Sequence, residues 1–390
     1  MAPELDILTA GLTGHRLRAL WPLDADCHFL NHGSYGATPY FVLQAQNTWR
    51  MQMERQPVQF MCTDLPLALR GAARHLATFL ETEHNRLAFA ENASAGINAI
   101  LRSVHWRRGD EIVIANHAYQ AVRNTVDFLT EQFGIGVRLA TIAFPVLATE
   151  DIAHSYCDVI TSKTRIAIVD HVFSPLAVIT PLEAIIQHCR NRGVCMLVDG
   201  AHGPGMLALN LDSLGVDWYV GNCHKWLCAP KGCAFIHKGR NTATEVHPAV
   251  ISNFYRTGYT QEFDWQGTRD YSAWLSVSAS IEFLQTFGVQ RYQKFLADQA
   301  SEAAHMLCQH WQVELPAPPL AFAAMVTLLW PRPEPGTLEN AKRLRAWLWA
   351  THRIEVPIIV INGKLWLRIS AQIYNQMSDY EALAQALLPD

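Results

Sequence analysis

The chain predicts an α/β fold: a largely parallel sheet covered by helices on both faces, followed by a smaller α+β domain. Strand–loop–helix units repeat from Arg86 to Lys238, and helical crossovers between strands make a parallel sheet. The candidate strands are short unbroken apolar runs, as strands buried on both faces must be, and polar residues and glycines collect at their carboxyl ends. From about Val289 long amphipathic helices alternate with strands.

Composition bounds the function. Half of the 390 residues are hydrophobic, so the chain can bury a large core. Charged residues make up 17% and the formal net charge is −4, which leaves no basic field for nucleic acid or an anionic membrane. The longest apolar runs, such as Ala321–Trp330, are too short for a membrane span. The N-terminal MAPELDILTAGLTGHRLRAL lacks a basic n-region and a continuous apolar h-region, so no secretory signal is expected. Nine scattered cysteines fit reduced thiols in a cytoplasmic protein. Cys223, Cys228 and Cys233 match no zinc spacing and read as packing residues; no metal site is expected.

In chain order, a helix is expected within the first 25 residues. His28–Tyr40 then takes a short strand into Asn31, His32 and Tyr35 among glycines, either an ordinary turn or a ligand loop. Helices over about Thr38–Arg55 and Leu65–Leu80 precede a strand, Arg86–Ala90. The helix beginning near Ala95 follows Asn92, Ala93 and Ser94, small residues that suit a helix N-cap and, by its dipole, a phosphate. Glu111–Ala115 is a strand whose exit carries His117 and Tyr119, rings able to stack on an aromatic cofactor or simply to pack. Strands follow at about Val137–Phe144 and at Arg165–Val169, the latter ending in Asp170-His171. Pro181 opens a helix that closes at Gly193. The stretch VCMLVDGAHGPG then ends a core strand at Asp199, and His224-Lys225 follows on the next strand's loop. A carboxylate facing a pyridinium nitrogen and a lysine holding an aldehyde are what pyridoxal phosphate requires. KGCAFIHKG is a further strand. Val246–Trp265 is irregular, aromatic and lid-like, and suits a bulky ligand or interface packing. Gly267-Thr268-Arg269-Asp270 precedes a helix to about Phe287. Helices Arg291–Gln312 and Leu338–Thr351 alternate with strands Ala323–Leu329, Glu355–Ile361 and Lys364–Ile369. Arg368, among apolar neighbours, needs an anionic partner: a structural salt bridge or a bound carboxylate. The expected division is a large domain over 26–270 and a small one from 1–25 and 271–390.

Together these residues resemble the class V aminotransferase branch of fold-type I pyridoxal phosphate enzymes, over about Asn31 to Asn375. The specific elements are Asp199–Gly205, His224-Lys225 and the run Arg368–Asn375; FLNHGSYGATP is similar to the isopenicillin N epimerase-like group, which also contains carbon–sulfur lyases. The resemblance implies a mostly parallel seven-stranded-type sheet with pyridoxal 5′-phosphate at its edge. It implies Lys225 as the Schiff-base lysine and catalytic base, Asp199 at the pyridine nitrogen and His202 near the phenolic oxygen. Ala93, Ser94, Asn222 and His224 would hold the phosphate, with Gly267 and Thr268 reaching it from the neighbouring subunit of a homodimer. Tyr119, or His117 two residues earlier, would stack on the ring. Arg368 would clamp the substrate carboxylate, with Asn31, His32 and Tyr35 on the substrate side and Ser174 where relatives often carry Asn.

The implied chemistry is proton removal at Cα of an amino acid. Epimerisation leads, with His32, Tyr35 or Tyr119 as the second acid; carbon–sulfur β-elimination, releasing pyruvate and ammonia, is the alternative. Transamination and a non-catalytic binding protein are further readings. A desulfurase needs a cysteine shortly before the arginine clamp, and the last one is Cys308.

Overall fold

Seven strands, all but the exposed edge strand Gly136–Ala140 being buried apolar runs, build the central sheet of the computed structural model, which describes residues 14–388. In chain order the strands are β1 (His28–Phe29), β2 (Leu87–Ala90), β3 (Glu111–Ala115), β4 (Gly136–Ala140), β5 (Thr164–Asp170) and β6 (Cys195–Asp199). They continue as β7 (Trp218–Asn222), β8 (Ala234–Lys238), β9 (Met325–Leu329), β10 (Ile354–Glu355), β11 (Ile358–Ile361) and β12 (Lys364–Ser370). The large sheet runs β2-β8-β7-β6-β5-β3-β4. β8 is antiparallel to both neighbours and the remaining pairings are parallel. β2, β3 and β7 are buried at every residue, which requires helices on both faces. The expected fold class is what forms.

Each helix shows why it docks. Tyr40–Arg55 is followed through the short helical segments Pro57–Gln59 and Phe60–Asp64 by Leu65–Phe79, which buries Leu65, Leu69, Ala72, Ala73 and Leu76 along one stripe. Leu182–Arg192 follows Pro181 and stops at Gly193, whose φ of 65° is the left-handed closure glycine allows. The expected helix within the first 25 residues lies partly outside the described residues; one turn, His15–Arg18, is described.

Two expected strands differ from the structure. β4 ends at Ala140 because the Asn116 side chain takes over from the ladder, accepting from Ile142 N–H at 2.9 Å and donating to its carbonyl at 3.1 Å. Glu355–Ile361 divides at Val356-Pro357, since proline has no N–H to give. β10 instead pairs in parallel with β1, and β11 pairs with β12.

The second body is a three-stranded antiparallel sheet, β11-β12-β9, carrying the helices Val289–Trp311, Leu338–His352 and Met377–Ala386. Its apolar cluster contains Leu30, Leu307, Leu328, Leu348, Leu367 and Leu383. The first cluster surrounds the large sheet and includes Leu17, Trp21 and Val277–Phe287 residues such as Ile281 and Leu284. Apolar packing therefore crosses the expected boundaries at 25/26 and 270/271. Among the described residues, no helix is long and apolar enough to cross a membrane.

Candidate active site

The carboxyl ends of β5, β6 and β7 open into one cavity of about 440 Å³. Parallel register puts Asp170 of β5 directly opposite Asp199 of β6, so the two carboxyls share a face and both line the cavity. Asp199 Oδ1 accepts from the Ala201 N–H at 3.1 Å. Burial raises the Asp199 carboxyl, while that N–H and the Lys225 charge pull it back. Asp170 is 3% exposed and its Oδ2 has no partner. Burial pushes it well above the usual carboxylate range and the Asp199 charge pushes it further, so the pair carries its negative charge on Asp199.

Two positions of the turn after Asp199 leave room only for glycine. A Cβ on Gly200 would lie 2.1 Å from the Tyr219 ring, and one on Gly203 would lie 2.0 Å from its hydroxyl. This close packing places His202 with Nε2 at 3.1 Å from Lys225 Nζ. Lys225 sits in the turn after β7. Burial first, then the Arg368 charge, brings its amine down to about 7, with Asp199 opposing. A lysine there is an available nucleophile and base near neutral pH. His224, beside it, faces the Cys233 carbonyl through Nδ1 at 3.0 Å; burial lowers its pKa to about 4.

Across the cavity the helix Ala93–Ser103 presents its N-terminus. Ala93 N–H donates to Asn222 Oδ1 at 2.8 Å and Ala95 N–H to the Asn92 side chain at 2.9 Å. Ser94, whose N–H neither bond takes, lines the cavity between them. Such an N-terminus suits an anion.

Arg368 of β12 is 3% exposed. Its Nη1 donates to the Ser174 carbonyl and hydroxyl, its Nη2 to the Ser34 hydroxyl at 3.1 Å, and its Nε has no partner. Tyr35 and Tyr119 line the cavity from opposite stretches of chain, Tyr35 largely exposed.

Of the residues singled out from sequence, the structure thus gathers Ala93, Ser94, Tyr119, Ser174, Asp199, His202, Asn222, His224, Lys225 and Tyr35 around one space, with Arg368 on Ser174. Others stand elsewhere. His117 does not line the cavity: its Nε2 lies 3.0 Å from the Ile142 carbonyl, in the Asn116 bridge that ends β4. His32 is fully buried behind Lys225, with Nδ1 at 2.8 Å from the Tyr374 hydroxyl and Nε2 at 3.1 Å from the Lys225 carbonyl. Burial lowers its pKa to about 3, and both ring nitrogens are occupied, so the expected substrate-side role and second-acid role do not fit it. Asn31 bonds Glu355 at 2.8 Å and accepts from Ser34, one layer behind Arg368. Gly267 and Thr268 lie outside this chain's own cavity, and so does the stretch 246–265. Sequence reasoning missed Ser34 and Asp170 as wall residues. Asp170 had a signal, a strand ending in Val-Asp like Asp199; Ser34 had none.

The residues fit pyridoxal 5′-phosphate. A lowered amine, a charged carboxylate at a strand end, a helix N-terminus with an unclaimed N–H and a guanidinium with a free Nε are the groups its aldehyde, nitrogen, phosphate and amino-acid partner require.

Known proteins agree. The chain is 30% identical over 393 residues to a probable chloroplastic L-cysteine desulfhydrase of Arabidopsis thaliana, covering 93% of this chain and 83% of that protein. It is also 30% identical over 385 residues to isopenicillin N epimerase of Amycolatopsis lactamdurans, covering 94% and 95%. A solved complex of the cystine C–S lyase C-DES with its reaction product cysteine persulfide superposes with a TM-score of 0.82, at 21% identity over 93% of this chain and 97% of that one; this likeness supports the fold. The family model for class-V aminotransferases matches residues 44–332. That match spans the strands, the turn and the lysine just described: the chain belongs to the class-V aminotransferase family and is a pyridoxal 5′-phosphate enzyme.

Proposed function

We propose that this protein cleaves a carbon–sulfur bond of a cysteine-type amino acid by β-elimination, releasing pyruvate and ammonia. The observation that carries the reading is the meeting of Lys225 and Asp199 in one cavity, with Arg368 bonded to its wall residue Ser174 and the buried Lys225 amine available as a base near neutral pH. Bound pyridoxal 5′-phosphate supplies an electron sink for the charge left when Cα loses its proton. Asp199 would face the cofactor's ring nitrogen and favour the protonated form, and Ser94, Asn222 and His224, at the helix N-terminus, would hold its phosphate. Tyr119, on the cavity wall, would pack on the ring. Arg368 fixes the substrate carboxylate, orienting Cα–H toward Lys225. The Lys225 amine takes that proton, the thiolate leaves from Cβ, and the 2-aminoacrylate left behind takes up one water to give pyruvate and ammonia. Elimination asks nothing further of the protein on the opposite face of Cα.

Epimerisation is the second reading, favoured by one observation: the hydroxyls of Tyr35 and Tyr119 belong to cavity-lining residues, and either could return a proton to the opposite face. Incubation with L-cysteine in deuterated water separates the two. Sulfide and pyruvate in equal amounts support elimination, whereas Cα deuteration with D-product and no sulfide replaces it by epimerisation. Lys225→Ala abolishes either activity.

The working unit in this reading is a homodimer. Gly267 would meet no neighbour with a Cβ and Thr268 is exposed, which suits them to a second copy's phosphate. Mixed dimers of Lys225→Ala and Thr268→Ala subunits test it: a shared site loses activity differently in the two cavities, an unshared one leaves each subunit independent. The nine thiols, none in a disulfide, suit the cytoplasm.

A further inference from the structure

Trp226 follows the lysine in sequence and is fully buried, and nothing above assigns it a role. Its indole Nε1–H donates to His202 Nδ1 at 3.2 Å. An indole nitrogen is a donor only, so Nδ1 has to be the bare, accepting nitrogen of the imidazole. His202 is 2% exposed, and burial, followed by the charges of Lys225, Arg368 and His224, keeps it neutral. A neutral imidazole carries one proton, which is thereby left on Nε2. That is the nitrogen 3.1 Å from Lys225 Nζ. An Nε2–H donor needs an acceptor, and a lysine nitrogen accepts only as the uncharged amine.

We propose that Trp226 is a positioning residue whose indole locks His202 in the Nε2–H tautomer, which in turn holds Lys225 as a free amine ready to take the cofactor's aldehyde. The proposal rests on the reading of Lys225 as the cofactor-holding lysine. Without the indole donor, the imidazole proton can move to Nδ1. Nε2 then becomes an acceptor and favours the Lys225 ammonium. The other groups around Lys225 stay as they are: Asp170 and Asp199 at the strand ends, Arg368 from β12, His224 beside it and His32 beneath its carbonyl. Trp226 also packs on the His32 ring, with centroids 5.2 Å apart, so the comparison with the His202→Gln background, rather than the single substitution, isolates the path through His202.

The test uses full-length apoprotein of wild type, Trp226→Phe, His202→Gln and the double variant. Each is mixed with pyridoxal 5′-phosphate, and the rate of uptake is followed by absorbance across pH. The expected result is a profile displaced upward by about one pH unit in Trp226→Phe, the size of effect a single hydrogen-bond partner has on a buried group. Uptake is then roughly tenfold slower below the inflection. In the His202→Gln background the same substitution gives no further displacement. Equal displacement in both backgrounds means Trp226 acts through packing and overturns the proposal. Long-range ¹⁵N correlation of histidine-labelled wild type reads the tautomer directly, with Nε2 protonated and Nδ1 bare. A protonated Nδ1 overturns the proposal even if Trp226→Phe does not fold. Failure of the wild type to take up the cofactor at Lys225 defeats the parent reading instead, and the ¹⁵N result then decides the tautomer on its own.

Discussion

Arg368 carries its charge into the protein without a carboxylate partner among the described residues, and replacing it with methionine separates two roles that a guanidinium can have. Its Nη atoms donate three hydrogen bonds, all to uncharged acceptors on Ser174 and Ser34, while Nε has none. Burial pulls its pKa down to about 10. In the ligand-free protein the change to methionine forfeits bonds worth roughly 1 kcal/mol each. It also removes a buried unpaired charge whose desolvation costs several kcal/mol. The two terms oppose, so Arg368→Met melts at or above the wild-type temperature. Binding goes the other way. Truncating one partner of a buried charge pair costs about 2–5 kcal/mol, or roughly thirty- to several-thousand-fold in affinity at about 1.4 kcal/mol per decade. Glycine, which has no leaving group at Cβ, serves as the ligand: it is titrated against the cofactor absorbance of both proteins, beside melting curves without ligand. Arg368→Lys keeps a charge but not the two-pronged fork, and falls between. A methionine variant that melts many degrees lower yet binds glycine unchanged would falsify the clamp and make Arg368 a structural residue.

Two further outcomes follow from the same site. Because Lys225 reacts as the free amine and loses its proton near pH 7, cofactor uptake by the apoprotein rises about tenfold per unit below pH 7 and flattens above it. A rise continuing to pH 10 would show an ordinary lysine. Gly36→Ala puts a Cβ at φ +68° and 2.5 Å from the His224 carbonyl oxygen. A stability loss of about 1–3 kcal/mol and weaker cofactor retention are expected, measured by denaturant melts and dialysis; an unchanged protein would mean this backbone yields easily.

What could be read from the sequence was local. Asp199 and Lys225 each stand at the end of an apolar run, so strand geometry alone aims them at a common edge, and Asn92 announces the helix that follows it. Contacts made across hundreds of residues left no trace. Ser34 holds Arg368, 334 residues away, and His32 turns inward because the Tyr374 hydroxyl, 342 residues on, receives its ring. His117 and Tyr119 are both plausible at a strand exit. They part only because the Ile142 carbonyl and Asn116 capture the histidine, a bridge between two loops that neither loop's sequence reveals. Nothing in the sequence marks Trp226 as the donor to His202, which stands 24 positions before it.

The short segment from β1 to Gly36 joins distant parts of the chain. β1 finds its ladder partner only in β10, with His28 beside Ile354, and Gly36 is moulded against the backbone of His224 and Lys225. On the ribosome the strand partner of this segment is made more than three hundred residues after it. At typical elongation rates the wait is roughly 15 to 65 seconds. Through that interval the central sheet can close while the wall behind the lysine is still open, so the site is finished when β10 arrives rather than when the sheet that carries the lysine is complete.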